Sequence, residues 1–412
     1  LFQKTLLDQK LECQISFCSR GFRIKFNADK DKGVANAMEF SDLLKLMVER
    51  GASDLFITAG IPPSMKINGK LSPLTKTPMT PEKTRETVMG VMSESQRQDF
   101  LDTKECNFAI SARGIGRFRV SAFYQRNLIG MVLRRIETSI PTLAELKLPN
   151  VLKDITGTKR GIVLLVGATG TGKSTTLAAM IGHRNEHSKG HIISIEDPIE
   201  YLHQHRGCIV TQREVGIDTE NFEIALKNTL RQAPDVIMIG EIRSREVMEY
   251  ALTFAETGHL VLATLHANNA NQALDRIVHF FPSDKHDQIW MDLSLNLRGI
   301  VAQQLVPAID GKSRVPVVEV MLNTPLVSDH IRRREVHLLK PLISKSRELG
   351  MQTFDQALYD LYATGHISYE DALVHADAPN DLRLMIKLGT GGNNLLPDED
   401  PNEIQKLKIE KD

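Results

Sequence analysis

The hydrophobic positions of this chain change their period near residue 159. Before it, from Met38 to about Ile136, short apolar stretches alternate with charged ones. Leu43, Leu44, Leu46 and Met47 fall on one face of a short helix that Gly51 stops. DLFIT (54–58) reads as a strand. SMKINGKLSPL sets Asn68–Gly69 between two apolar/polar alternations, which signals a hairpin. TPEKTRETVMGVM opens with proline and reads as a helix. GRFRVSAFYQRNLIGMVLRRI reads as two strands around a turn near Gln125–Asn127. Together these make a small α+β domain. PTLAELKLP then has the look of a linker with a short helix.

After Lys159 the apolar runs become short and continuous: GIVLLVG, HIISIE, DVIMIG and HLVLATLHA. Each is a candidate strand buried on both faces. Helical patterns lie between them, at Ser174–Ile181, Phe222–Arg231 and Glu246–Glu256. Such alternation implies an α/β architecture with a doubly wound, mostly parallel sheet. Further helices are expected in NQALDRIVHFF and in HDQIWMDLSLNLRGIVAQQLV. Another is expected in MQTFDQALYDLYATG, where Met351, Phe354, Leu358 and Leu361 share a face. SYED (368–371) opens ALVHA like a capping box. The expected division is an extension outside the fold (1–37), a front domain (38–136), a linker (137–158), a nucleotide-type domain with C-terminal helices (159–388) and a flexible tail (389–412), which lacks a sustained apolar pattern.

Totals sharpen this picture modestly. A length of 412 residues is long for one core and points to two domains. Lysine and arginine together number 51 and so do aspartate and glutamate, so no global field favours DNA or an anionic membrane. Local basic patches remain open. No apolar run approaches the roughly 20 residues that span a bilayer. The start lacks a secretory apolar core, so a cytoplasmic protein is expected. The cysteines at 13, 18, 106 and 208 form no CxxC pair, which argues against a disulfide framework or a four-thiolate zinc site.

The strongest chemical signal is GATGTGKST, residues 167–175, which matches GxxxxGK[ST] between an apolar run and a helical pattern. Gly167, Ala168, Thr169, Gly170, Thr171 and Gly172 would turn backbone N–H groups onto phosphate oxygens, with Thr175 closing the motif. Lys173 would neutralise β/γ charge, and the Ser174 hydroxyl would ligate Mg²⁺. The apolar run DVIMIG delivers Glu241 to a strand's carboxyl end, where this architecture binds ligands. A glycine precedes it where P-loop enzymes commonly carry an aspartate that helps hold Mg²⁺. Glu196 and Asp197, in IEDPIEY, follow another apolar run and should reach the same edge; a turn or a cap is the other reading of that pair. His266 also follows its strand, where an imidazole could sense a γ-phosphate, bridge to a neighbour or serve only structure. His259 stands at the other end of that strand and is expected to stabilise the loop. Metal binding by these histidines is not expected, because no third partner is evident.

GATGTGKSTT, EDPIEY, DVIMIGEIR and TGHLVLATLHAN, in this order, resemble the Walker A, Asp box, Walker B and His box of the type II/IV secretion ATPase superfamily, over about Met38 to Lys387. The resemblance implies a RecA-like P-loop NTPase domain behind a smaller PAS-like α+β N-terminal domain. It implies a catalytic Glu196 that polarises water and a Glu241 that organises Mg²⁺. It also implies that arginines of the front domain reach the nucleotide in a hexamer; Arg119 and Arg134 match them best, with Arg117 behind. Among branches, the pilus retraction ATPases PilT and PilU are the most similar, since the chain lacks the longer front and tetracysteine element of assembly ATPases. LVSDHIRRREVHLL departs from the AIRNLIRE stretch of PilT proteins and looks more like PilU. The same resemblance implies a homo-hexameric motor using ATP and Mg²⁺, peripheral at the inner-membrane face of the pilus machine. Its partners would be a PilT-type retraction ATPase and a membrane platform protein, with no nucleic acid. Two alternatives stand beside it: a nucleotide-gated accessory module with little hydrolysis, and a conjugation- or helicase-type RecA-like ATPase.

Overall fold

The computed structural model describes residues 40–67, 69–136 and 139–389. The extension at 1–37, the tail from 390, Cys13, Cys18 and Asn68 lie outside the described residues. By its internal contacts the chain forms two compact units. One takes in the described residues up to Ile140 with Ile195–His205 and Val210–Asn228; the other takes in Pro141–Ser194, Arg206–Ile209 and Thr229 onward.

The first unit is built on α1 (Phe40–Glu49), β1 (Asp54–Thr58), β2 (Ser64–Ile67), β3 (Lys70–Pro73), α2 (Pro81–Gly90), α3 (Glu94–Thr103), β4 (Glu105–Ala112), β5 (Gly116–Gln125) and β6 (Leu128–Ile136). Its strands form one antiparallel sheet in the order β3-β2-β1-β6-β5-β4. Ile67 pairs with Lys70, so β2 and β3 join through two residues, of which Gly69 has φ +78°. Arg126 and Asn127, at φ +49° and +61°, make the equivalent turn between β5 and β6. The period of two is plain on β5, where Phe118, Val120 and Ala122 are buried and Arg117, Arg119 and Ser121 take the other face. Phe118 and Val120 join Leu43, Met47, Leu55 and Met131 in one core.

Two elements of this unit went unread in the sequence. Helix α3 carries a signal that was legible: Ser93 and Gln96 form a complete capping box. Strand β4 alternates weakly and only Phe108 on it is buried, so its period was hard to see.

The seven-stranded sheet runs β13-β12-β7-β11-β10-β8-β9. Its strands are β7 (Gly161–Val166), β8 (Gly190–Glu196), β9 (Cys208–Glu214), β10 (Val236–Ile239), β11 (Leu260–Leu265), β12 (Leu297–Pro307) and β13 (Arg314–Leu322). β10, β11, β7 and β12 pair in parallel, and β13 pairs antiparallel to β12. Every residue of β7, β10 and β11 is buried, which is why they read as unbroken apolar runs. The helices are α4 (Val151–Gly157), α5 (Lys173–His187), α6 (Phe222–Thr229), α7 (Arg245–Glu256), α8 (Ala270–His279), α9 (His286–Asn296), α10 (Pro325–Arg332), α11 (Leu339–Ser344), α12 (Phe354–Ala363), α13 (Tyr369–Val374) and α14 (Pro379–Gly389).

Two expectations are corrected. Residues 286–306 are not one helix: α9 ends at Asn296 and β12 begins at Leu297. Pairing on both sides, to β7 and to β13, decides the matter. Gly299 allows it, since a Cβ there would lie 2.8 Å from the Met321 carbonyl oxygen. In PTLAELKLP there is no helix but a hydrogen-bonded turn, with Leu148 N–H donating to Leu143 O at 3.0 Å. The helix of that region is α4, just beyond it.

Among the described residues no helix is long and apolar enough to cross a membrane. Cys106 and Cys208 are free thiols, and burial pushes both up from the ordinary thiol range.

Candidate functional site

In the second unit, β7 ends at Val166 and the chain turns through Gly167–Gly172 into α5. Gly170 and Gly172 hold φ of +80° and +84°, which L side chains rarely adopt. Gly167 has no room for a side chain, because a Cβ would sit 2.4 Å from the Gln303 carbonyl oxygen. Ala168, Thr169 and Gly170 are exposed, and Ser174 and Thr175 are half-buried in the first turn of α5. Lys173 is buried and folds back over the loop, its Nζ donating to Gly167 O at 2.8 Å and Ala168 O at 2.7 Å. Thr171 Oγ1 donates to Ala168 O at 2.9 Å. The result is a cationic, amide-rich turn at a helix N-terminus, suited to phosphate.

Sequence reasoning missed Gln303 here, having placed it in a helix. On β12 it is 4% exposed and clamps the turn from below. Its Nε2 donates to Thr171 O at 2.8 Å, and its Oε1 accepts from Thr176 Oγ1 at 2.8 Å.

Glu241 follows β10 by two residues and His266 follows β11 by one. His266 Nε2 lies 2.9 Å from Glu241 Oε1, and Arg243 Nε donates to Glu241 Oε2 at 2.6 Å. Both turns are braced where they leave the sheet: Thr264 Oγ1 donates to Gly240 O at 2.5 Å, and Ile242 N–H to Thr264 O at 2.9 Å. That contact is compatible with each of the three readings open for His266. Beyond it, a cavity of about 290 Å³ lies between Gly167–Ala168 and a wall of His266, Asn268, Gln272 and Arg276. Gln272 and Arg276 stand one turn apart on α8 and were not anticipated. The only trace of them in the sequence is their spacing of four, which puts both on one helix face. His259 stays with its own loop, its Nδ1 3.1 Å from Phe254 O and from Thr257 Oγ1.

Glu196 and the three arginines belong to the first unit. Glu196 ends β8 and is 6% exposed; its Oε1 accepts from Gln212 Nε2 at 3.1 Å. Gln212 also donates to Tyr201 O and accepts from the His203 N–H, fixing the excursion that follows β8. Arg119 and Arg134 face each other in register across β5 and β6. Arg134 Nε donates to the buried Asp54 at 2.8 Å while the rest of its side chain stays exposed. Arg119 Nε lies 4.0 Å from the buried Glu214. Burial pushes the Glu214 carboxyl up, with the Ile199 N–H, Arg119 and Arg117 pulling against it. Arg117 Nε is buried without a hydrogen-bond partner among the described residues. Arg119 and Arg134 line a cavity of about 540 Å³ with Asn107, Ser121, Glu200 and Tyr201. Lys173, Ser174, Glu241 and His266 thus lie in the second unit, and Glu196 and the three arginines in the first.

A family model described as "Type II/IV secretion system protein" matches residues 31–351. The chain belongs to that family. Over 353 residues it is 75% identical to the Type IV pilus ATPase PilU of Pseudomonas aeruginosa, covering 86% of this chain and 92% of that protein. It is 40% identical over 344 residues to the Type IV pilus retractation ATPase PilT of the same organism, covering 84% of this chain and all of that one. The crystal structure of the pilus retraction motor PilT with bound ADP matches it with a TM-score of 0.78 at 41% identity, over 84% of this chain and 99% of that one. The resemblance drawn from the four motifs is borne out, and the fold is α/β and RecA-like, close to that of PilT.

The residues present suit Mg²⁺ delivered with a nucleotide. Among the described residues no group of three or more His, Cys, Asp or Glu could hold a metal by itself. A hydroxyl at Ser174 and a carboxylate at Glu241 are hard oxygen donors. That donor set fits an ion that keeps several waters and binds through few protein groups plus substrate phosphates.

Proposed function

We propose that this chain is a Mg²⁺-dependent ATPase of the PilU/PilT kind, acting in a ring of like subunits to drive or assist type IV pilus retraction. ATP hydrolysis itself follows from the family and from relatives that are ATPases. The observation that carries the reading is His266, paired with Glu241, set across one cavity from the phosphate-binding turn. Phosphoryl transfer needs a grip on phosphate, a metal, an oriented water and cover for developing charge. Lys173 would exchange the carbonyls of Gly167 and Ala168 for phosphate oxygens. Ser174 and Glu241 would hold Mg²⁺, which when bound neutralises and orients the phosphates. His266, its Nε2 held by Glu241, presents a fixed ring to the cavity.

The remaining roles extend this reading. Glu196 would polarise the attacking water. Arg119 and Arg134, with Arg117 behind them, would cover charge on nucleotide bound in a hexamer, from a PAS-like front domain over 38–136 joined by a linker over 137–158 to the ATPase domain over 159–388. Asp54 and Glu214, which engage Arg134 and Arg119, would then release them to the phosphates. The chain would work in the cytoplasm at the inner-membrane face, with a PilT-type ATPase and the pilus platform protein.

The test is steady-state ATP turnover of the chain and of Lys173→Ala, with Mg²⁺ or with chelator, alone and mixed with a PilT-type partner. Turnover should need both Mg²⁺ and Lys173, falling at least about 100-fold without the lysine. Equal turnover in the variant would refute the assignment. Strong stimulation by single-stranded DNA would instead favour a conjugation- or helicase-type enzyme. Binding without turnover, with or without the partner, would favour an accessory module.

A further inference from the structure

A buried carboxylate stands behind the loop that carries His266. Glu319 lies on β13 opposite Ala302 of β12, whose partner on β7 is Val166, the last residue before the phosphate-binding turn. It is 2% exposed. Its Oε1 accepts from the backbone N–H of Ala270, the first residue of α8, at 3.0 Å. That amide is one of four that a helix leaves without an internal partner, and the positive end of the helix favours a carboxylate there.

Ala270 closes a short loop that His266 opens. Within it, Asn268 N–H donates to Gln272 Oε1 at 3.2 Å, and Gln272 N–H to Asn269 Oδ1 at 2.9 Å. Those bonds are internal to the loop and its helix. The Glu319 bond instead anchors them to the sheet. Three further charged groups bear on the Glu319 carboxyl electrostatically: Lys340 of α11, Asp355 of α12 and Asp377 just before α14. They are tied to one another. Lys340 Nζ donates to Asp377 Oδ2 at 2.7 Å and lies 3.9 Å from Asp355, whose Oδ1 accepts from the Asp377 N–H at 2.8 Å.

We propose that Glu319 is a positioning residue: it holds the His266–Ala270 loop and the first turn of α8 against the phosphate-binding turn. The inference rests on reading the adjoining cavity as the phosphate end of an ATP site. The strength of the hold depends on the charge of Glu319. An ionised carboxylate makes a charge-assisted bond to the Ala270 amide, and a neutral acid an ordinary one. Burial pushes this carboxyl up to about 7; the Ala270 N–H and Lys340 oppose the rise, and Asp377 and Asp355 add to it. Both states are therefore populated near neutral pH.

The test compares the full chain with Glu319→Ala and Glu319→Gln by amide hydrogen exchange, affinity for a fluorescent ADP analogue, and kcat and KM across pH 6 to 9. In Glu319→Ala, exchange over 268–272 should rise at least about tenfold, the factor expected on losing one buried bond to a charged group. Nucleotide affinity should stay within about threefold while kcat falls. Glu319→Gln keeps an acceptor for Ala270, so it should restore slow exchange and part of kcat, and should lose the wild-type dependence of kcat on a group near pH 7. Unaltered exchange over 268–272 in Glu319→Ala would overturn the proposal. So would exchange that rises equally along α5 and α7, or kinetics equal to wild type. A wild-type chain that bound no nucleotide would sink the functional reading, while exchange, which needs no nucleotide, still decides the anchor.

Discussion

Replacing Glu319 by glutamine should make the second unit more stable in alkali and leave acid stability comparatively unmoved. The folded carboxyl titrates near 7 and an ordinary one near 4.5, chiefly because burial disfavours its charge. Between those values the folded chain holds a proton that the unfolded chain has released. Stability therefore falls as pH rises: the contribution of this group is fully present below 4.5 and is lost as pH passes through about 7. At 1.36 kcal/mol per pKa unit the gap is worth about 3 kcal/mol. Solvent screening takes little from it, since Glu319 is 2% exposed. Glutamine keeps the shape and the acceptor but does not titrate. Constant effects of the exchange cancel when its stability difference from wild type is itself compared between pH 5 and pH 8. That difference should shift by about 2 to 3 kcal/mol toward the variant at pH 8. Urea unfolding followed by tryptophan fluorescence reads it directly. The single tryptophan of the chain, Trp290, is buried on α9 in the second unit. A difference that stays constant to within about 0.5 kcal/mol, or widens toward acid, would show that Glu319 does not carry this penalty.

The same geometry sets three further outcomes. Gln303→Ala removes both buried bonds of the clamp and should cost about 2 to 4 kcal/mol by the Trp290 signal, with weaker ADP binding; a cost below about 0.5 kcal/mol would mean that the turn needs no clamp. Gly172→Ala puts a Cβ 2.9 Å from Gln303 Nε2 at a φ of +84°, so ADP affinity should drop at least about tenfold while far-ultraviolet circular dichroism stays as in wild type. Glu196→Gln and Glu241→Gln should each keep ADP binding and lose at least about 100-fold in ATP turnover; intact turnover in both would end the division of labour between the two acids.

Much of the second unit was readable because burial on both faces leaves a strand no polar positions. β7, β8, β10 and β11 therefore announced themselves as apolar runs, and the residues that leave their carboxyl ends stood out as chemistry. The glycine-rich turn at 167–172 was readable for another local reason. Its glycines answer to backbone angles and close approach, and both depend on neighbours in the chain. The capping box of α3 was equally local and equally available.

Other features depend on partners far along the chain. An apolar run such as GIVAQQLV suits a helix or a strand, and only its fit between β7 and β13 made β12 a strand. Gln303 became a clamp through a bond to Thr176, 127 positions away, and Glu319 an anchor through Ala270, 49 positions away. Asp54 and Arg134, 80 positions apart, met because β1 lies beside β6. The amino-acid order alone thus determined which segments are strands and helices wherever the pattern is local, and which turn is shaped to suit phosphate. The packed structure decided what holds that turn and its facing loop in place, because a buried polar side chain takes its role from the partner that satisfies it, and chain distance says nothing about which partner that is.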